Sequence, residues 1–330
     1  MQSVLTNRGI IPAKDVLPGD FLYEYGTSKP LEITYIDIAH DRKMYDVRYT
    51  DGRVEKISED ENIYFNDKLY GPEEFTREMF DNVKPIKRFV TDYGKLYQDL
   101  DPDPYTAGAL LIYGDLDDPY INLPADRAEA DDVLIYKYHL TYATDTNSTK
   151  KYYSYIGSEE KIKWVDFFKG YTFFSKTHIL DDPIIPDEYM YAGVADRLQF
   201  ISGAFDVGYS PLVTPDTVSM VHTDIVKLQI VQRMLWSLGI MTYLHTSNNT
   251  YQLDVIGPEE DYAKFFYNID FRSRMISNIV EVYKCNPTFE LKVESVTPSL
   301  FSYKVPRYYI YTEKPGQLYY SAQYLPRVTI

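Results

Sequence analysis

The side chains of this sequence that can do chemistry are mostly carboxylates, with 49 Asp and Glu against 34 Lys and Arg. Cys285 is the single cysteine, which excludes an internal disulfide framework and a zinc site built on several thiolates. The five histidines, His40, His139, His178, His222 and His245, are scattered without the spacing of metal ligands. That leaves the acids, the hard oxygen ligands of divalent cations such as Mg2+. Two of them, Asp115 and Asp206, lie near the ends of the segments Gly108–Leu116 (GALLIYGDL) and Arg197–Tyr209 (RLQFISGAFDVGY). Each segment reads as a short apolar helix with a small-residue contact face, running towards a strand. On the plainest reading Asp206 makes a hydrogen bond at its helix end, and Asp115, Asp117 and Asp118 form a solvated turn.

The elements that must position these residues follow from periodicity and turn signals. Short strands at Val4–Thr6, Phe21–Tyr25, Ile33–Ile38, Tyr45–Tyr49 and Val54–Ile57 are separated by the turns PGD, YGTSKP and TDG. Asp99–Pro104 (DLDPDP) reads as a linker. Beyond it, copy one of a repeat has a helix at Pro104–Tyr113, a strand at Tyr120–Leu123, a helix at Arg127–Leu134 and strands at Tyr136–Thr144 and Lys151–Ile156. Copy two has a helix at Ala195–Phe205, a strand at Val218–Val221, a helix at Thr223–Leu238 and strands at Met241–His245 and Tyr251–Ile256. In its long helix Ile225, Leu228, Val231, Leu235 and Leu238 form an apolar stripe that stops at Gly239. Strands return at Leu291–Val296 and Tyr308–Thr312, with a final pair around Leu318–Leu325. The chain therefore reads as a β domain in two pieces, 1–95 and 286–330, split by an inserted domain over 96–285. Copy one of that insert takes 104–185 and copy two 186–285.

Bulk composition narrows the function classes. The 34 tyrosines, many in strand-like runs, suit half-buried sheets. The net charge of −15 and pI near 4.8 argue against duplex DNA as a partner, because phosphate binding draws on a basic face. Acids crowd at Asp99–Asp103, Asp115–Asp118 and Glu129–Asp132, where approaching phosphate is repelled. Lysines at Lys150–Lys151, Lys161–Lys176 and Lys84–Arg88 read as solvated faces. No apolar run is long enough for a transmembrane segment, and the opening residues lack a signal-peptide core. The expected location is the cytoplasm of a host cell or a virion.

Five segments carry a resemblance, in order along nearly the whole chain. VLTNRGIIPAKDVLPGDFLYEY resembles the start of an intein beyond its first nucleophile, and TDGRVEKISEDENIYF the intein segment bearing a T-x-x-H motif. YYIYTEKPGQLYYSAQYLPRVTI resembles the final intein strands, which normally end in His-Asn. In the centre, DPYTAGALLIYGDLDDPYINLPAD and RLQFISGAFDVGY with VQRMLWSLGI resemble the two halves of a LAGLIDADG homing endonuclease. The resemblance implies an α+β fold: a split Hint-like all-β domain with an inserted, pseudo-twofold LAGLIDADG-like domain of αββαββα repeats.

Splicing, as the resemblance implies it, needs a Cys or Ser at the first residue, a histidine in T-x-x-H and a terminal Asn. The matching places hold Met1, Glu61 of the Ser58–Glu61 stretch, and Val328 to Ile330, so splicing is not expected. The endonuclease resemblance implies one acid at the end of each motif helix, the pair holding divalent metal against the scissile phosphates. Ala107 and Gly108 in one copy, and Ser202 and Gly203 in the other, are the small residues that let the helices approach. The acid positions fall on Tyr113 and Gly208, neither of which offers a carboxylate. Asp115 and Asp206 are fallback acids, displaced in opposite directions from those positions. The strands expected to read a major groove offer only Lys137 and His139 in copy one and His222 and His245 in copy two.

The expectation is a catalytically inactive intein- and endonuclease-derived protein with a structural or interaction role, plausible for a phage particle or its assembly. Its partners would be proteins, including other virion proteins, with no cofactor and no metal. The alternatives are an active LAGLIDADG endonuclease using Mg2+ on double-stranded DNA through Asp115 and Asp206, a DNA-binding regulator without cleavage, and an acidic mimic of DNA.

Overall fold

The computed structural model describes residues 2–65, 68–75, 84–87, 93, 100, 103–113, 120–124, 141–143, 150–154, 187–208, 218–247, 249–256, 288–299 and 306–329. The expected helix at Arg127–Leu134, together with Asp115, Lys137 and His139, lies outside them. The chain divides into two compact units, Met1–Tyr93 with Tyr283–Ile330 and Gly94–Val282. Both are mixtures of small antiparallel sheets with few helices.

Unit one is almost wholly β. Before the insertion it contains β1 (Ser3–Thr6), β2 (Gly9–Pro12), β3 (Phe21–Tyr23), β4 (Pro30–Ala39), β5 (Met44–Tyr49), β6 (Val54–Ser58), β7 (Ile63–Phe65), β8 (Lys68–Tyr70) and β9 (Lys84–Lys87). After it come β16 (Thr288–Leu291), β17 (Val293–Pro298), β18 (Arg307–Thr312), β19 (Leu318–Tyr320) and β20 (Pro326–Val328). The returning strands pair with the early ones: β16 with β9, β17 with β5 and β18 with β4. Three small sheets are therefore each assembled from both ends of the chain. The expected strand Leu291–Val296 falls in two strands, because β16 pairs with β9 and β17 with β5, the change of partner falling at Lys292.

Alternation in β4 builds the core. Leu31 and Ile33 are buried between exposed Glu32 and Thr34, which is the period-2 pattern of a half-buried strand. They join Val4, Ala13, Val16, Leu22, Ile310 and Tyr319 in one cluster. A register shift between Tyr311 and Thr312 skips Thr34, and Ile36 then packs against that cluster.

Unit two holds α1 (Pro104–Tyr113), a single turn α2 (Asp187–Met190), α3 (Val194–Gly208) and α4 (Ile225–Ser237). Its strands are β10 (Tyr120–Pro124), β11 (Thr141–Ala143), β12 (Lys150–Ser154), β13 (Val218–His222), β14 (Met241–Ser247) and β15 (Thr250–Ile256). The two copies have matching sheets, ordered β10-β12-β11 and β13-β15-β14. Copy two runs α–β–α–β–β, with one described strand before its second helix where the αββαββα order has two; residues 209–217 between them are not described.

Local chemistry explains the helix limits. Asp103 caps α1 by accepting from the Thr106 N–H at 3.2 Å, and Pro104 needs no N–H at the first helical position. The last part of the expected linker is thus a helix cap. Asp224 caps α4 through the Val226 N–H at 2.9 Å. Gly239, at φ +74, ends α4 in the left-handed region where a side chain would be strained. Along α4, Leu228, Val231, Leu235 and Leu238 are buried as their spacing requires, while Ile225 is half-buried.

Candidate functional site

In unit one, β6 ends at Ser58 and the following turn carries Glu61 into a cage of donors. One carboxylate oxygen of Glu61 accepts from the Ser58 N–H at 2.8 Å and the Ser58 hydroxyl at 2.9 Å. Arg307, at the start of β18, reaches the two oxygens at 2.7 and 2.6 Å, and Arg327 on β20 lies 3.3 Å away. Burial by itself would raise the Glu61 pKa. The charges of Arg327 and Arg307, with the Ser58 N–H, outweigh it and pull the carboxyl down to about 2. A carboxylate so acidic is a poor proton acceptor at neutral pH. Its role is to tie three segments together.

Neighbouring groups are engaged in the same way. The Tyr309 hydroxyl donates to Asp60 at 2.7 Å, and the Ser58 hydroxyl reaches Asp60 at 2.6 Å. Burial, then the Asp60 and Glu61 charges, pushes the Tyr309 phenol up to about 12. A cleft of about 460 Å³ opens beside them, lined by Asp37, Arg42, Asp60, Tyr309, Arg327 and Thr329 among others.

In unit two, α1 and α3 pack against each other backbone to backbone. A methyl group on Gly108 would overlap the Phe200 carbonyl and lie 3.0 Å from the Ala204 nitrogen. One on Gly203 would overlap the Tyr105 carbonyl and lie 3.1 Å from the Ala109 nitrogen. The same sequence offset relates Tyr105 to Phe200, Gly108 to Gly203 and Ala109 to Ala204, which is the signature of a pseudo-twofold axis through the contact. That offset carries Tyr113, the last residue of α1, onto Gly208, the last residue of α3. Ala107 and Ser202 are buried beside the glycines, Ser202 donating to the Leu198 carbonyl at 2.8 Å.

The end of α3 is filled, and the Ile112 carbonyl in the last turn of α1 is engaged. A Cβ at Gly208 would lie 3.1 Å from the Ile112 Cγ2 and 3.1 Å from both Cγ and Cε of Met220, tighter than ordinary van der Waals contact. The Ile112 carbonyl accepts from Lys227 Nζ at 3.1 Å and faces His222 Nε2 at 3.2 Å. Because the Asp224 N–H donates to His222 Nδ1 at 2.8 Å, the ring proton sits on Nε2 and the imidazole is neutral. Burial, then the Lys227 charge, lowers the His222 pKa and keeps it so; burial likewise lowers that of Lys227. The backbones of Tyr113 and Asp206 are helical, but their side chains lie outside the described residues, as does all of Asp115.

A divalent cation, which the endonuclease resemblance implies, does not fit what is described here. The carbonyl it would meet at the end of α1 already accepts from an ammonium, and the Gly208 position lies against a hydrocarbon side chain and a thioether. Among the described residues no group of three or more His, Cys, Asp or Glu is arranged to hold a metal ion.

The sheet expected to face a major groove is polar in copy two but carries no Lys or Arg on that side. Asp254 accepts from the Ser219 hydroxyl at 2.5 Å and from Gln252 Nε2 at 2.8 Å, and His245 Nδ1 lies 3.5 Å from the same carboxylate. Tyr243, 40% exposed, stacks on His245 at 5.2 Å. His222, expected on that face, is on the opposite one and reaches Ile112 instead, since β-strand residues alternate sides.

Sequence reasoning selected Glu61, Tyr113, Gly208 and the four small residues. It missed Arg307, Arg327 and Lys227, the cations that occupy the two centres. For Arg307 the available signal was an arginine opening the Tyr-rich strand RYYIYT; Arg327, inside the short strand PRV, had no comparable one. For Lys227 the signal was weaker: a lysine one turn past the Asp224 cap, on the edge of the α4 stripe.

No protein-family model matches the chain, and no curated protein matches it. Among solved structures the chain is similar to those of the homing endonuclease I-DmoI. A structure from a study of its mesophilic variants is 14% identical with a TM-score of 0.33, covering 52% of this chain and 94% of that one. I-DmoI in complex with DNA and Mn is 15% identical with a TM-score of 0.33, covering 51% and 94%. A variant with its target DNA in the presence of Mg is 14% identical with a TM-score of 0.34, covering 51% and 94%. At that level of similarity nothing functional follows for this chain. No helix among the described residues is long and apolar enough to cross a membrane.

Proposed function

We propose that the protein is a catalytically inactive derivative of an intein bearing a LAGLIDADG endonuclease, retained as a structural or protein-interaction component. A phage particle or its assembly is the setting that this reading favours, with other virion proteins as partners. The observation that carries the reading is a contrast within one helix pair. Gly108 and Gly203 keep the backbone contact that such an enzyme needs, while the helix ends where its acids belong carry Tyr113 and Gly208, the latter packed on Ile112 and Met220. The split β unit supports the same reading, with Glu61 held as an ion pair where splicing would need a histidine. An acidic chain whose described copy-two sheet face lacks Lys and Arg is poorly suited to grip phosphates.

Incubation of the full chain with long double-stranded DNA and Mg2+ or Mn2+ tests the reading. No cleavage is expected. Metal-dependent cutting that disappears in Asp115→Asn or Asp206→Asn would overturn it in favour of a working endonuclease. Quantitative mass spectrometry of purified particles tests the structural role, which predicts the chain at fixed stoichiometry.

A further inference from the structure

The Ile112 carbonyl belongs to the last turn of α1, so no backbone N–H of that helix follows to satisfy it. It also sits at the negative end of the helix dipole, where positive charge is stabilised. Lys227 Nζ donates to it at 3.1 Å from the first turn of α4, and His222 Nε2–H donates at 3.2 Å from β13. Lys227 also lies in the field of the Asp224 carboxylate, which favours its charged form. The ammonium is thus held at this carbonyl by geometry: Asp224 caps α4, sets its first turn, and fixes the neutral tautomer of His222 from the same backbone position.

We infer that the Lys227 ammonium substitutes for a divalent cation at the end of α1, so that this helix pair carries its own positive charge. The inference rests on the functional reading above and deepens it: the site is closed to metal by an occupant as well as by the absent acids. Restoring a carboxylate at the helix end is then insufficient to restore a metal site, because Lys227 keeps the carbonyl.

The test compares the full chain carrying Tyr113→Asp with Tyr113→Asp/Lys227→Met, titrated with Mn2+. The readout is paramagnetic broadening of the His222 ring resonances, which report on the Ile112 carbonyl from 3.2 Å. The single variant should resist broadening, and the double variant should broaden at roughly tenfold lower Mn2+ or less. Tyr113→Asp/Lys227→Arg should resist as the single variant does, since the cation is kept. Equal broadening with and without Lys227 overturns the inference, and so does the absence of broadening in both, because the carbonyl would then be no cation site. If circular dichroism shows that the Met variant fails to fold, Tyr113→Asp/Lys227→Gln makes the same comparison. Cleavage of DNA by the unaltered protein would sink the functional reading yet leave the Lys227 comparison standing.

Discussion

In unit one, Glu61 is gripped by two guanidinium groups and a serine, whereas in unit two the end of α1 is held by one ammonium and a neutral imidazole beside the Met220 side chain. The first arrangement is electrostatic and buried. Its parts stabilise one another, and removing one leaves uncompensated charge in a poor solvent. The second is mainly steric, with a single cation on a neutral carbonyl, so removing a part leaves no opposite charge behind. The first site should therefore tolerate substitution poorly and the second well, and the difference is measurable.

The largest effect belongs to Glu61→Ala, which strands Arg307 and Arg327 and should cost about 3–5 kcal/mol in a denaturant titration. A loss under 1 kcal/mol would remove the contrast with unit two. Acid probes the same group without mutation. Its folded pKa of about 2 lies below the ordinary value of 4.5, so its contribution is present above pH 4.5 and is lost as pH falls through 2. That loss should approach 3 kcal/mol, and Glu61→Gln should flatten the pH dependence of stability in this window. Gly203→Ala forces two helix backbones apart and should cost about 1–3 kcal/mol, with Gly108→Ala similar by the pseudo-twofold relation; a neutral result for either would break that symmetry. Lys227→Met should change stability least, by about 1 kcal/mol or less, because relief of burying the charge offsets the lost hydrogen bond.

Periodicity made much of the architecture readable. The α1 limits, the α4 stripe and its Gly239 stop, and most strands follow from spacing that any single segment displays. The hairpin of β7 and β8 was missed, since the Asn66-Asp67 between its strands lacks the glycine that marks a tight turn. The break at Lys292 depends on pairing with two different partners, β9 and β5, and no local pattern records that. Asp103 was read as part of a linker because proline-rich acidic stretches make both linkers and helix starts, and only the Thr106 N–H decides between them. For the site, residue identities sufficed to say that Tyr113 and Gly208 bring no carboxylate. They could not say that Met220 and Ile112 fill the space at Gly208, since Met220 is on another element.

By itself the sequence determined which residues stand where: Tyr113 and Gly208 at corresponding places in two similar segments, Glu61 three residues after Ser58, and the small residues Gly108 and Gly203. Those are properties of single positions and of short spacings, which a linear chain states outright. Only the tertiary structure decided what each of them meets. Arg307, Arg327 and Lys227 reach their partners across long stretches of chain, and a charge pair depends on a separation of a few ångströms that no sequence distance encodes. For the same reason His222 read as a groove-facing residue until its strand was paired, because one residue of register decides which side of a sheet a side chain occupies.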